Sequence, residues 1–417
     1  MSVRQIIEQE IRERGPMPFS RYMELCLYRP DLGFYSRDPE QFGKAGDFYT
    51  SSDVHAVFGR LLARQFDEIW RVLGSPAHME ILELGPGRGL FAQDVLDWSE
   101  KKFPDFFQTL HYSLEESSPR LRERLRSNLI RHFNSGRASL HSADSPLKAW
   151  FSSEAVPISG DWAKSEVGPG AAVEQRFSPA LTPPQSGALA PETPVIIFAN
   201  EFFDALPVEI LSSMGALRVA LQDDRLTEVW VPPSAEELEF LDRYSVHPEP
   251  GERIEVPLLA QRCISRLAAS LRRGFIVAID YGYTREEQLA GRHRGTLMAY
   301  RQHSASQNPY EAPGEQDLTT HVNFTSLVAA AEENGLQAQP LLTQSQFLMG
   351  IGENNQFADA FEDCRLPQES AKVALQLKHL VTPAGMGETF HVLVASKAVD
   401  VAQVAGLSGL SFAKSRM

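Results

Sequence analysis

The chain has 417 residues, a length that suggests two or three domains or one large elaborated domain. Hydrophobic residues make up 43% and charged residues 23%, enough for a large core, which excludes a disordered chain. Forty lysines and arginines face 54 aspartates and glutamates, a net charge of −14, which repels a phosphate backbone and sets nucleic acid aside. Such a surface favours cationic peptides, although solubility is the plainer reading of the same excess.

Residues 1–75 read as an interrupted helical cap. Ile6, Ile7 and Ile11 recur at helical spacing, and "GPMP" stops that helix. "FSRYMELCLY" restarts it with Ser20 as N-cap. A loop rich in Gly, Pro, Asp and Ser follows, and then a helix over about 54–73. From residue 79 the pattern becomes strand, helix, strand: "MEILEL", "LFAQDVLDW", then "LHYSLEE". The next helix opens at Ser118 with Pro119 in its first position. This alternation predicts an α/β doubly wound parallel sheet. Residues 152–194, rich in Pro, Gly, Ser and Ala, read as a flexible insertion. The sheet resumes with "PVIIFAN", and a hairpin turns at Asp223-Asp224 within a substrate-side insertion over about 205–255. A helix over 256–272, the strand "GFIVAIDYGY", a helix closed by Gly335 and the strand "ETFHVLVASK" complete a core over 76–400. Residues 401–417 read as a tail.

Cys26, Cys263 and Cys364 are far apart, and no CxxC occurs, so neither a disulfide framework nor a zinc ribbon is indicated. The first 15 residues lack the apolar core of a signal peptide and carry acids that a transit peptide avoids. No apolar run approaches a membrane span. The expectation is a cytoplasmic protein with no membrane span and no metal.

"EILELGPGRGLF" places Gly85, Gly87 and Gly89 between the first strand and its helix. Missing side chains let a ligand approach the backbone. The third glycine comes one residue too early for GxGxxG, and no Gly-Lys-Ser/Thr is present, so both phosphate-binding patterns fail. What remains is Glu83 followed by GxGxG, which resembles the first motif of class I S-adenosylmethionine-dependent methyltransferases. That cofactor carries no phosphate, and a carboxylate near its sulfonium and amino-acid end is electrostatically sensible. Glu115, 30 residues past Gly85, ends the second strand, where an acid accepts hydrogen bonds from ribose hydroxyls; the alternative is a solvated helix-leading acid.

Longer stretches point the same way. "GFYSRDPEQFGKAGDFYTSSDVHAVFGRLL", "SLEESSPRLRERL", "FANEFFDALPVE", "AIDYGYT", "GTLMAYRQH", "GEQDLTTHVNF" and "AGMGETFHVLVASK" resemble, in order and over nearly the whole chain, the MidA-like family. Its members are S-adenosylmethionine-dependent methyltransferases related to the mitochondrial complex I assembly methyltransferase. The resemblance implies a class I Rossmann-like methyltransferase fold with N-terminal and C-terminal additions. It also implies methylation of a protein arginine in a respiratory complex I subunit or assembly-related target. The chain departs from the family pattern at Ser52 and Glu116, where proline is usual. Two alternatives remain open: a small-molecule methyltransferase, and a cofactor-binding assembly factor without catalysis.

Asn200, Glu201 and Asp204 follow a buried strand and fall at the carboxyl edge of the sheet, where open α/β sheets bind ligands. A guanidinium acceptor is always protonated at neutral pH and must be held and made to shed a proton. Carboxylates suit that task, Glu201 first and Asp204 second. Asp204 reads equally as a helix cap before "ALPVEI". Asp47, Thr50 and Ser51 are placed to close over the cofactor or line the acceptor channel. Asp280 and Tyr281 are candidates for the pocket wall, Tyr281 equally for packing. Asp144 is a loose candidate for the adenine amine. His303 and His321 read as structural.

Overall fold

The computed structural model describes residues 1–36, 56–141, 193–301 and 304–416. Six strands of its largest sheet follow from apolar runs: β1 (Met79–Leu84), β2 (Leu110–Glu115), β3 (Ala138–Leu140), β4 (Val195–Asn200), β5 (Gly274–Tyr283) and β6 (Phe390–Lys397). Their spatial order is β3-β2-β1-β4-β5-β6, with Gln337–Ala338 at the edge beyond β6. The first five run parallel, and β6 is antiparallel to β5. Sequence order runs one way from β1 to β3 and the other way from β4 to β5. The reversal lies between β1 and β4, the position at which such sheets open a crevice for ligands. Leu84 stands opposite both Glu115 and Ala199, so the carboxyl ends of the three central strands are level.

Side-chain alternation assigns the two faces. Met79 and Ile81 pack with helices Ala56–Val72 and Leu90–Lys102, and Leu82 and Leu84 pack on the side of helices Leu258–Ser270 and Phe324–Glu333. Helices therefore cover both faces.

A second core joins helices Val3–Arg14 and Phe19–Tyr28 to an antiparallel sheet built from Met17–Pro18, Glu209–Ser212, Gly215–Gln222, Arg225–Val231 and Ile254–Val256. Ala299 and Leu318, from a small sheet that includes Met298–Arg301 and Asp317–Thr319, fill the same core. Residues 1–36 and 56–75 thus serve two cores, since the helix Ala56–Val72 packs on the main sheet. After residue 400, Val404, Leu407 and Leu410 are buried in the main core.

Several local signals act as read. Asp223 and Asp224 both take left-handed backbone (φ 50° and 57°), the requirement of a tight two-residue hairpin. Ser118 caps the helix Pro119–Asn128, its Oγ accepting from the Leu121 N–H. Ser20 differs from expectation. The helix begins at Phe19, before it, after Pro18 at φ −54°. Ser20 lies inside the first turn and donates its hydroxyl to Glu209 of the antiparallel sheet. A half-buried carboxylate needs that donor more than the helix needs a cap, and desolvation pushes Glu209 up to about 7.

Candidate active site

The glycine loop joins β1 to the helix Leu90–Lys102. Gly85, Gly87 and Gly89 all have positive φ (63°, 55° and 75°). They need glycine for different reasons. A Cβ on Gly85 would lie 3.0 Å from the Phe202 ring, and one on Gly89 3.2 Å from Leu125 and Leu129. A Cβ on Gly87 would meet nothing within 4 Å among the described residues. Gly85 and Gly89 make room for the protein, whereas Gly87 has no described neighbour on its Cβ side, a gap from which a ligand can reach the backbone.

The loop is held from β2 and the turn after it. The Gly85 N–H donates to the Glu115 carbonyl at 3.0 Å and the Gly89 N–H to the Pro86 carbonyl at 2.8 Å. The Gly87 N–H donates to Glu116 Oε2 at 3.1 Å, and Glu116 Oε1 accepts from the Ser118 N–H at 2.8 Å. Burial pushes Glu116 up to about 7 against these donors. Glu116, which stands where the family pattern has proline, is the side chain that grips the loop. Glu115 is buried at the end of β2, its Oε2 3.0 Å from His141 Nδ1. Glu83 does not join the loop. Alternation turns it onto the sheet face, where Oε2 accepts from Tyr112 OH at 2.9 Å and burial raises it to about 8.

The opposite wall is the turn after β4. Glu201 takes left-handed backbone (φ 49°), rare for a residue with a side chain, and its N–H is fixed to the Ile279 carbonyl at 2.9 Å. Asn200 Nδ2 donates to Glu201 Oε1 at 3.2 Å. Asp280 serves as the anchor of this turn. Its Oδ2 accepts from the N–H groups of Phe202, Phe203 and Asp204 at 3.1, 3.0 and 3.3 Å. Burial, with Asp204 and Glu201 nearby, raises its carboxyl well above the usual range. No helix follows Asp204, so it is not a helix cap; the chain turns through 201–206 and enters the antiparallel sheet at Glu209. Asp204 Oδ2 accepts from Tyr281 OH. The N–H groups of Asp204 and Ala205 ease its charge, but among the described residues Oδ1 is buried without a hydrogen-bond donor. Burial raises Asp204 to about 6.

The N-terminal segment closes the space between the two walls. Ser118 Oγ donates to the Tyr35 carbonyl at 2.7 Å, beside the glycine loop. Tyr35 OH donates to Asp317 Oδ1 at 2.9 Å, and Tyr28 OH to the Ala205 carbonyl at 2.8 Å. Nothing local in the sequence marks Tyr28, Tyr35 or Asp317, because their partners lie far along the chain. His321 Nδ1 lies 3.0 Å from His293 Nδ1, and burial lowers His321 to about 4, as fits a packed ring. Asp47, Thr50 and Ser51, like Asp144 and His303, lie outside the described residues.

Residues 61–342 match the sequence profile of the S-adenosyl-L-methionine-dependent methyltransferase family. The chain belongs to this family. The methyltransferase is similar to a Drosophila melanogaster protein named "Protein arginine methyltransferase NDUFAF7 homolog, mitochondrial", 27% identical over 93% of this chain and 83% of that one. The Homo sapiens "Protein arginine methyltransferase NDUFAF7, mitochondrial" is 26% identical over 92% of this chain and 80% of its own. A crystal structure from Burkholderia thailandensis, bound to S-adenosyl-homocysteine, superimposes with a TM-score of 0.75 at 24% identity, covering 98% of this chain and 94% of that one. It shares the methyltransferase's fold, mixed α/β. The enzyme uses S-adenosylmethionine as its cofactor. The expected cytoplasmic location is corrected by these relatives, which are named as mitochondrial proteins. Among the described residues no helix is long and apolar enough to cross a membrane.

Proposed function

We propose that the enzyme methylates an arginine side chain of a protein, with the cofactor on the Gly85–Gly89 loop and the acceptor presented from the turn 200–204. The observation that carries this reading is Asp204 Oδ1, a buried carboxylate oxygen with no hydrogen-bond donor among the described residues. It lies in the turn whose Phe202 ring abuts Gly85, so an acceptor bound there is beside the cofactor loop. A guanidinium supplies a donor for that oxygen. The relatives named as protein arginine methyltransferases support the same acceptor. A class I Rossmann-like core is the finer assignment of the fold.

The residues fit the cofactor. Gly87 has no described neighbour on its Cβ side, Glu115 offers a carboxylate at the edge of β2 for ribose hydroxyls, and nothing in the loop is specialised for phosphate. S-adenosylmethionine supplies an electrophilic methyl group when bound. Glu201, oriented by Asn200, holds the guanidinium, and Asp204 Oδ1 accepts its proton. One N–C bond forms as the sulfonium C–S bond breaks, and the thioether leaves. Positioning supplies most of the rate. Selection of the acceptor falls to residues 1–36 and 205–255, the second core. A respiratory complex I subunit is the target class that the family resemblance implies.

The test is incubation with methyl-labelled cofactor and isolated complex I subunits, followed by acid hydrolysis. Label in methylarginine is expected. Tight cofactor binding with label only in small molecules, or with no transfer, overturns the reading.

A further inference from the structure

We propose that Glu116 is the positioning residue of the cofactor loop, and that S-adenosylmethionine binds the protein with this side chain ionised. The inference rests on the proposed placement of the cofactor on the Gly85–Gly89 loop and is independent of the acceptor.

The loop is braced from one unit, β2 and the helix Pro119–Asn128 that follows it. The Gly85 N–H donates to the Glu115 carbonyl at 3.0 Å, and Asn128 Nδ2 donates to the Arg88 carbonyl at 2.9 Å. Leu125 and Leu129 back Gly89. Between these contacts the Gly87 N–H donates to Glu116 Oε2 at 3.1 Å. Glu116 Oε1 accepts from the N–H of Ser118, the N-cap of the same helix, at 2.8 Å. One carboxylate thus ties the middle of the loop to the start of the helix. Of these braces, only the Glu116 carboxylate can gain or lose a proton.

Two N–H groups aimed at one side chain need two acceptor oxygens. An ionised carboxylate has both; a protonated one turns an O–H toward one of the donors, and a glutamine an NH2. Proline, usual here in the family pattern, has no side-chain acceptor. The hydrogen-bond geometry therefore selects the charged form, and the surroundings oppose it. Glu116 is 6% exposed. Glu115 beside it and Glu83 on β1 are acids in its field, and Tyr28 brings a phenol from the N-terminal helix. His141 lies 3.0 Å from Glu115. Arg122 is a cation in the same field, but its Nη1 donates to the Glu116 main-chain carbonyl at 2.8 Å. Burial leaves Glu116 at about 7, half protonated at neutral pH. A bound sulfonium and ammonium tip the balance, because a nearby cation favours the ionised form. The proton leaves to solvent, and both oxygens then hold the loop. S-adenosylmethionine carries one more positive charge than S-adenosyl-homocysteine, so it expels more of the proton.

The test is calorimetric titration with each of these two ligands in phosphate and in imidazole buffer, whose different protonation enthalpies count the protons released. At pH 7 the wild type should release about half a proton on binding S-adenosylmethionine and less on binding S-adenosyl-homocysteine. Its affinity for S-adenosylmethionine should rise about tenfold from pH 6 to pH 8. Glu116→Gln should release almost none, show no pH dependence over that range, and bind about tenfold more weakly at pH 8. Asn128→Ala, which removes an uncharged brace, should weaken binding but release protons as the wild type does. A wild type that releases no proton overturns the inference, as does a Glu116→Gln protein that releases as many. Loss of the release in Asn128→Ala as well assigns the effect to a distorted loop and overturns it too. If Glu116→Gln does not fold, Glu116→Pro decides by the same measurement. Affinity lowered in Gly87→Ala but unchanged in Glu116→Gln overturns the inference and leaves the cofactor placement standing; affinity unchanged in both overturns the two together.

Discussion

Gly87→Ala separates ligand clearance from folding. The backbone at Gly87 has φ 55°, and an L-residue there costs about 1–2 kcal/mol. No packing term from the described residues adds to this, because a Cβ would meet none of them within 4 Å. Spread over a chain of this size, the loss lowers the thermal midpoint by at most a few degrees. The methyl group would occupy the space through which the cofactor reaches the Gly87 backbone. Overpacking of that kind costs about 1–3 kcal/mol, roughly 5- to 150-fold in affinity. Gly89→Ala is the control. Its φ is 75°, but its Cβ would press on Leu125 and Leu129 at 3.2 Å, so stability should fall further. Thermal melts and calorimetric titration with S-adenosylmethionine measure both quantities for both variants. If Gly87→Ala keeps wild-type cofactor affinity, the open side of the loop is not the cofactor side, and the reasoning fails.

Replacing Glu115 by Gln should cost about 1.5–3 kcal/mol of cofactor binding, the usual worth of a hydrogen bond to a charged group, with little change in acceptor KM; unchanged affinity removes the ribose assignment. Asp204 accepts a proton only when ionised, and its carboxyl is raised to about 6, so kcat should rise with pH to a plateau above about 6. Asp204→Asn should lose that limb along with most of the rate, and a pH profile identical to wild type would exclude Asp204 as the acceptor. Stability should fall as pH rises from 6.5 to 8. Glu83, raised to about 8, and Glu116 and Glu209, raised to about 7, hold protons in the folded state that the unfolded chain has already released in this window. Desolvation lowers the half-buried His293 and His321 and the buried His391, so their contributions lie below about 6.5. Each proton held is worth about 1.4 kcal/mol per pH unit, and urea unfolding at the two pH values reads the sum. Higher stability at pH 8 would contradict the burial of these acids.

How much of this was legible in the sequence follows from the range of each interaction. The glycine loop, the Ser118 cap and the Asp223-Asp224 hairpin are local, and their residue types reveal them. The carboxyl-edge position of Asn200, Glu201 and Asp204 was readable because a buried strand ends there. The division of labour among the acids was not. Glu83 was assigned beside the cofactor, but one step of strand alternation gives it to Tyr112. Asp204 was weighed as a helix cap, but Asp280 satisfies the turn N–H groups from another strand 76 to 78 residues away. Ser20 looked like a cap because caps are the commonest local use of serine; Glu209, 189 residues away, claims it instead. Tyr35 and Asp317 have no local signature at all.

The spans of these contacts also bear on the order in which the enzyme assembles. The grip of Glu116 on Gly87 closes a loop of 29 residues, whereas Tyr35 and Asp317 close one of 282. Local closures cost less chain entropy and form earlier. The Gly85–Gly89 loop can therefore be held in a chain whose Tyr35–Asp317 contact has not yet formed. The bond from Ser118 to Tyr35 is the stitch between the two halves, since it fastens the N-terminal segment to the finished cradle. A methyl donor present during synthesis would stabilise that early half and shift the population toward chains ready to receive the rest.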